Sequence, residues 1–314
     1  MPILGIIGSS FKAIVAKAGY FGGGLDGSLA RISGIDKITF PADTKTTLSA
    51  TLSTRLYDHA GMANSGTAGY SGGGGIGDGY RWNGIDKIAF PADTKTTLSA
   101  TLSSPLASLA GMANSGTAGY FGGGSTGGGV YISGIDKIAF SADTKTTLSA
   151  TLSLALSDLA GMANSGTAGY FGGGDTSVGN TSGIDKIAFP ADTKSTLGAT
   201  LSTARSSHAG MANSGTAGYF GGGNSNVYIS EIDKITFPAD TKTTLSATLS
   251  TRRTRLAGMA NSGTAGYFGG GDGESSHNSG IDKITFPADT KTTLSATLST
   301  TRIIFAGMAN SGTL

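Results

Sequence analysis

A phrase repeated almost word for word governs what this chain can fold into. The tyrosine of A-G-Y-[FS]-G-G-G stands at Tyr20, Tyr70, Tyr120, Tyr170, Tyr219 and Tyr267, at spacings of 50, 50, 50, 49 and 48 residues. Each copy runs through a variable stretch into I-D-K-I-[TA]-F-[PS]-A-D-T-K-[TS]-T-L-[SG]-A-T-L-S, then through a second variable stretch into A-G-M-A-N-S-G-T. Self-similarity at such a period marks one supersecondary unit copied in tandem, each unit needing its neighbours to bury its faces.

Within a period four segments read as extended, and no apolar stripe of helical spacing is present. In T-K-T-T-L-S-A-T-L-S, Leu48, Ala50 and Leu52 alternate with Ser49, Thr51 and Ser53, which predicts a strand along the whole run. I-D-K-I-T-F puts Ile38 and Phe40 on one face. A-G-Y-F is a strand ended by glycines, and A-G-M-A-N-S is a small-residue strand ended by Ser65-Gly66. Four strands per period and six periods predict an all-β, six-bladed β-propeller with four antiparallel strands per blade.

The chain ends predict closure of the ring. The last copy stops at F-A-G-M-A-N-S-G-T-L (305–314), where an A-G-Y phrase would follow, and the first copy begins with that phrase at Ala18. Blade 1 therefore joins 305–314 to 18–53, followed by 54–103, 104–153, 154–202, 203–250 and 251–304 as blades 2 to 6. An open solenoid would need polar capping repeats, and the sequence has none.

Composition narrows the class. The chain has 53 glycines and seven prolines in 314 residues, without a three-residue period, so collagen is excluded, and 38% hydrophobic content is enough for a core. With no cysteine there is no disulfide framework and no thiolate for a metal or a nucleophile. The longest apolar run, Ile3 to Ile7, falls far short of the roughly 20 residues of a membrane span. No basic residue precedes it, unlike a signal peptide. No cofactor or metal is expected.

Glycines after an aromatic strand (Gly22, Gly23), then an aromatic strand, a Thr/Leu strand and Arg-x-x-His-Ala at Arg205 to Ala209 together resemble kelch repeats across residues 18–314. The chain departs from kelch near Leu48, where Thr or Leu stands in place of the usual outer-strand tryptophan. The opening M-P-I-L-G-I-I-G-S-S is similar to that of small repeat-bearing tail-associated proteins of tailed bacteriophages. That resemblance implies a virion tail or another extracellular surface assembly.

In an antiparallel meander both variable stretches lie on one face of the disc, and the constant turns N-S-G-T and P-A-D-T-K lie on the other. All eight arginines, all three histidines and the only tryptophan fall in the variable stretches. The repeated lysines sit near aspartates and read as solvated or locally paired charges. Arginine and large aromatic residues on loops over a rigid scaffold suit recognition. The densest cluster is Tyr80, Arg81 and Trp82, with Tyr57, Asp58 and His59 on the other connection of blade 2. Tyr131, Tyr228, Arg252, Arg253 and Arg255 are further ligand-binding candidates.

Other chemistries find little support. The glycine triplets lack the lysine and Ser/Thr of a phosphate loop, and Gly271 to Glu274 lacks the spacing of a calcium loop. No catalytic residue is assigned, since no nucleophile, base and orienter assemble. Sialidases share the blade count, and Arg31, Arg81, Tyr57 and Asp58 offer their residue types, but the aspartate-box repeats are missing. Eight loop acids offset the eight loop arginines, leaving no stripe for nucleic acid. Residues 1–17, carrying Ile3, Leu4, Ile6, Ile7, Phe11, Ile14 and Val15, read as a docking arm toward other assembly proteins or as an extra edge strand. The expected function is a non-enzymatic tail or fibre module binding a host-surface glycan or protein, with a structural spacer as the alternative.

Overall fold

The structure is a computed structural model and describes residues 17–310. The predicted arm falls almost wholly outside that range, as do the last four residues. Six four-stranded antiparallel sheets form a ring, and no helix occurs among the described residues. In blade 2 the strands run outward from the axis as Ala60–Asn64, Ala68–Gly72, Ile85–Ala89 and Thr94–Thr97. Blade 1 takes its innermost strand from the far end of the chain. Ala306–Asn310 pairs antiparallel with Ala18–Gly22, Asn310 opposite Ala18 and Ala306 opposite Gly22, so the ring closes as the repeat predicted.

The innermost strand is small because six of them converge. A Cβ on Gly111 would stand 2.5 Å from the Gly61 carbonyl oxygen, a distance no side chain tolerates, so glycine lets the backbones meet. The second strand is buried along its whole length because neighbouring blades cover both its faces. Tyr20 points to the following blade and stacks on Phe90 with ring centroids 4.8 Å apart. Phe21 points to the preceding blade, its ring end lying 2.8 Å from where a Cβ would stand on Gly269. Each sheet is thus sealed to the next by aromatic residues and methionines, which supply most of the favourable burial.

Polar groups reinforce each seam. The Tyr20 hydroxyl donates to Asp93 Oδ1 at 2.8 Å and the Lys37 ammonium to Asp93 Oδ2 at 2.6 Å. Asp143, Asp192, Asp240, Asp289 and Asp43 receive the same pair of donors at the other seams. Burial, then the bond to Asp93, pushes the Tyr20 hydroxyl far above its ordinary pKa. This corrects the reading of the I-D-K lysines as solvated or locally paired: each one bridges to the next blade.

The outer strand is shorter than its alternation predicts. It ends at Thr47, and residues 48–53 leave the sheet. Two attachments divert them. Leu52 is buried, and the Ser53 N–H and hydroxyl donate to Asp86 of the next blade at 2.7 and 2.6 Å. The buried I-D-K aspartate therefore captures the preceding blade's chain, and the period-two pattern reflects this crossing rather than a longer strand.

Candidate functional site

Both variable connections emerge on one face, and their innermost residues ring the axis. The residue two positions before A-G-M is Asp58, Ser108, Asp158, Ser207, Arg255 or Ile304, each in the left-handed region with φ between 53° and 57°. Each N–H donates to the ring carbonyl of the preceding connection. The bonds Asp58 to Ile304 (3.0 Å), Ser108 to Asp58 (2.8 Å), Asp158 to Ser108 (2.8 Å), Ser207 to Asp158 (2.7 Å), Arg255 to Ser207 (2.7 Å) and Ile304 to Arg255 (2.9 Å) close a circle. This circle holds a conformation that a β-branched residue such as Ile304 rarely adopts. It rims a cup of about 130 Å³ over the glycine-lined inner strands.

Charge in the cup is unevenly satisfied. Burial, and then the nearby Asp158 charge, push the Asp58 carboxyl up to about 8, with Arg255 and Arg81 opposing. Asp158 is also raised by burial, while the Ser108, Ser157 and Ser207 hydroxyls pull it back. Arg255 leans outward, its Nη1 lying 3.7 Å from Asp272.

A second tier lies farther out. The residue four positions before each I-D-K isoleucine is Arg31, Arg81, Tyr131, Asn180, Tyr228 or His277, and five of these reach over the next blade. Tyr131 donates to Asp175 at 2.9 Å, Asn180 to the Asn224 carbonyl at 2.9 Å and Tyr228 to Asp272 at 3.2 Å. Arg31 and Arg81 instead lie over Gly77 and Gly127. His277 bonds Asp272 of its own loop at 2.9 Å. Tyr228, Asp272, Glu274, His277 and Thr301 line an open cleft of about 490 Å³.

The blade 2 triplets do not act as units. Tyr80 is 71% exposed, Arg81 turns toward blade 3, and Trp82 packs against the apolar cluster of Ile35, Leu52 and Leu56. Tyr57 lies over Gly75, Asp58 enters the cup, and His59 is wedged between blades against Gly23. Burial lowers the His59 pKa to about 4, with the Arg302 charge adding to it, so the ring is neutral at pH 7. Arg252 is exposed beside a groove with Tyr228 and Glu231. Of the residues of the sialidase comparison, Arg31 and Arg81 lie over successive blades, at Gly77 and Gly127.

Arg253 is wholly buried, as are Arg205 and Arg302. They occupy the position held by Leu56, Leu106 and Leu156 in the other blades, shown by the backbone bonds that Leu106 and Arg253 carbonyls accept from Gly74 and Gly223. Arg253 donates to Asp282 at 2.9 Å and to the Phe268 carbonyl at 3.1 Å, and Arg205 repeats this with Asp233 and Phe220. Aligning the connections backward from A-G-M exposes this Leu/Arg alternation. The same alignment places Ser108, Asp158 and Ser207 on the axis, and counting back from I-D-K places His277 in the column of Tyr228; Asp272 and Glu274 carried no such signal.

The fold and its faces define a six-bladed β-propeller with one uniform and one variable face. No protein-family model matches the chain, and no curated protein matches it either.

Proposed function

We propose that this propeller is a non-catalytic recognition module that binds through its variable face. The observation that carries this reading is the division between the faces. Six seams repeat the same Tyr–Asp–Lys contacts, while the chemistry of the opposite connections changes from blade to blade. Chain polarity agrees. Ala18 lies opposite Asn310, at the end of the sheet where the N-S-G-T turns run, so the first described strand starts at the uniform face. A module tethered there presents its variable face outward.

On the resemblance to kelch-like repeats and to phage tail-associated proteins, the module sits on a virion tail or fibre and its ligand is a host-surface glycan or protein. The Tyr228–Asp272–His277 cleft and the exposed Tyr80 beside Arg81 offer the aromatic and charged groups that carbohydrate recognition uses. Copies in a multimeric assembly turn weak sites into firm attachment. The test is binding of purified protein to a bacterial-surface glycan array and to whole bacterial cells. Saturable binding that a Tyr228→Ala or Arg81→Ala variant loses, with melting unchanged, supports the reading. Absence of binding to both, with the variable face covered in an assembly, favours the spacer.

A further inference from the structure

The axial ring has spent its backbone. All six N–H groups are spent as donors in the circle and each carbonyl already accepts one of them, so the side chains supply the rim's charges and its free donors. In order around the axis these are Asp58, Ser108, Asp158, Ser207, Arg255 and Ile304, which puts carboxylates on blades 2 and 4 and a guanidinium on blade 6. We propose that the cup binds a small molecule carrying both a protonated primary amine and a carboxylate, the ammonium between Asp58 and Asp158 and the carboxylate toward Arg255. The inference goes beyond host attachment, because a ligand can enter the cup whether or not the outer loops bind a surface.

Three features fix this chemistry. An ammonium has three donors, and the Asp58–Ser108–Asp158 arc supplies two carboxylates flanking a hydroxyl. A hard divalent cation needs six to eight oxygens, and here each ring carbonyl already accepts an N–H while only two of the six rim side chains are carboxylates and one is a guanidinium. Among the described residues no cation forms a direct ion pair with Asp58, although Arg255 and Arg81 stand near enough to act on its charge. Arg255 is drawn toward Asp272, which is shared with Tyr228 and His277, and Arg81 is held by its bond to the Gly79 carbonyl at 2.8 Å. Burial and the Asp158 charge together keep a proton on Asp58 at neutral pH, and an arriving ammonium displaces it. Asp158, Arg255 and Arg81 are the charged groups that face this proton.

Isothermal titration with 4-aminobutyrate tests the proposal, using n-butylamine, butyrate and calcium chloride as controls at pH 6, 7 and 9. The expected result is that 4-aminobutyrate binds more tightly than either single-group control. Its affinity rises from pH 6 to 9, and proton release at pH 7 shows as a dependence of the heat on buffer. Asp58→Asn, and Asp58→Ser with the residue that blades 3 and 5 carry, each weaken binding at least about tenfold, one lost charge-assisted contact. Arg255→Gln abolishes the preference for 4-aminobutyrate over butylamine yet leaves amine binding. Lack of heat with 4-aminobutyrate, unchanged affinity in a folded Asp58→Ser variant, or calcium binding tighter than the amine would overturn it. Glycan-array binding by the same Asp58→Ser protein is read separately, so failure of the cup and failure of the recognition reading are distinguishable.

Discussion

The Tyr267 hydroxyl donates to Asp43 Oδ1 at 2.8 Å across 224 residues of sequence, and Lys283 meets the other oxygen of the same carboxylate at 2.6 Å. This seam between blades 6 and 1 is chemically the same as the five seams inside the chain. Asp43→Ala strands both donors, and charge-assisted bonds of this kind predict a loss of about 3 kcal/mol. Asp143→Ala at an interior seam strands the equivalent donors, Tyr70 and Lys87, and is predicted to cost the same within about 1 kcal/mol. Denaturant unfolding of the two variants checks this, and a silent Asp43→Ala would mean the closing seam is not formed.

The buried arginines predict an asymmetry. Arg253→Leu installs the residue that blades 2 to 4 use at that position, and Asp282 keeps the Ser250 N–H and hydroxyl and the Thr293 hydroxyl, the same donors that satisfy the buried Asp86 in blade 2 without an arginine. It should change stability by no more than about 1 kcal/mol, the range of a tolerated core exchange. Asp282→Asn leaves Arg253 charged and buried without its counterion, which predicts a loss of about 3–5 kcal/mol. Thermal melts in parallel settle the order, and a greater loss for Arg253→Leu would contradict it.

Ser71 breaks the phenylalanine series. Phe121 faces Gly72 and Phe21 faces Gly269, but no ring faces Gly22, and the buried Ser71 hydroxyl has no partner. Ser71→Phe is expected to fill this seam and raise stability by about 1–3 kcal/mol, the scale of burying one large apolar side chain. A lowered melting temperature would show that the seam has no room for the ring.

His59 sets a pH dependence whose sign follows from its lowered pKa. The unfolded chain takes up protons near 6.5 that the fold refuses until about 4, so the stability His59 contributes is full above pH 6.5 and is lost as pH falls toward 4. His59→Leu, the residue of Leu109 and Leu159, should gain on the parent as pH falls, by up to about 3 kcal/mol near pH 4. Asp58 acts in the opposite sense. Its raised pKa makes ionisation cost the fold as pH climbs from about 4 to 8, so Asp58→Ser gains on the parent over that range. Melting curves at pH 4.5, 6 and 8 separate the two effects.

The tyrosine spacing was enough to read the blades and the closing strand, because a tandem repeat can bury its faces only against copies of itself. Local alternation was a poorer guide: Leu48 to Ser53 looks like a strand, yet Asp86 draws Ser53 across to the next blade. Neighbours in sequence were likewise poor guides to the site. Tyr57, Asp58 and His59 are consecutive but serve a sheet edge, the axial cup and a seam, since the left-handed backbone at Asp58 breaks the extended run and turns successive side chains apart. The cup draws one residue from each of the six connections that lead into an A-G-M strand, so only alignment of those connections by column brings it together.

Recognition through the variable face is tested most directly by covering one face at a time. The chain has no cysteine, so single thiols can be placed at will and capped with polyethylene glycol. Val178→Cys lies in a connection of the variable face, where Val178 is 94% exposed, and Ala142→Cys lies in an exposed turn of the uniform face. Polymer at residue 178 should abolish binding to the bacterial-surface glycan array and to whole cells, and polymer at residue 142 should leave both intact. The reverse pattern, binding lost from residue 142 and kept at residue 178, would contradict the account.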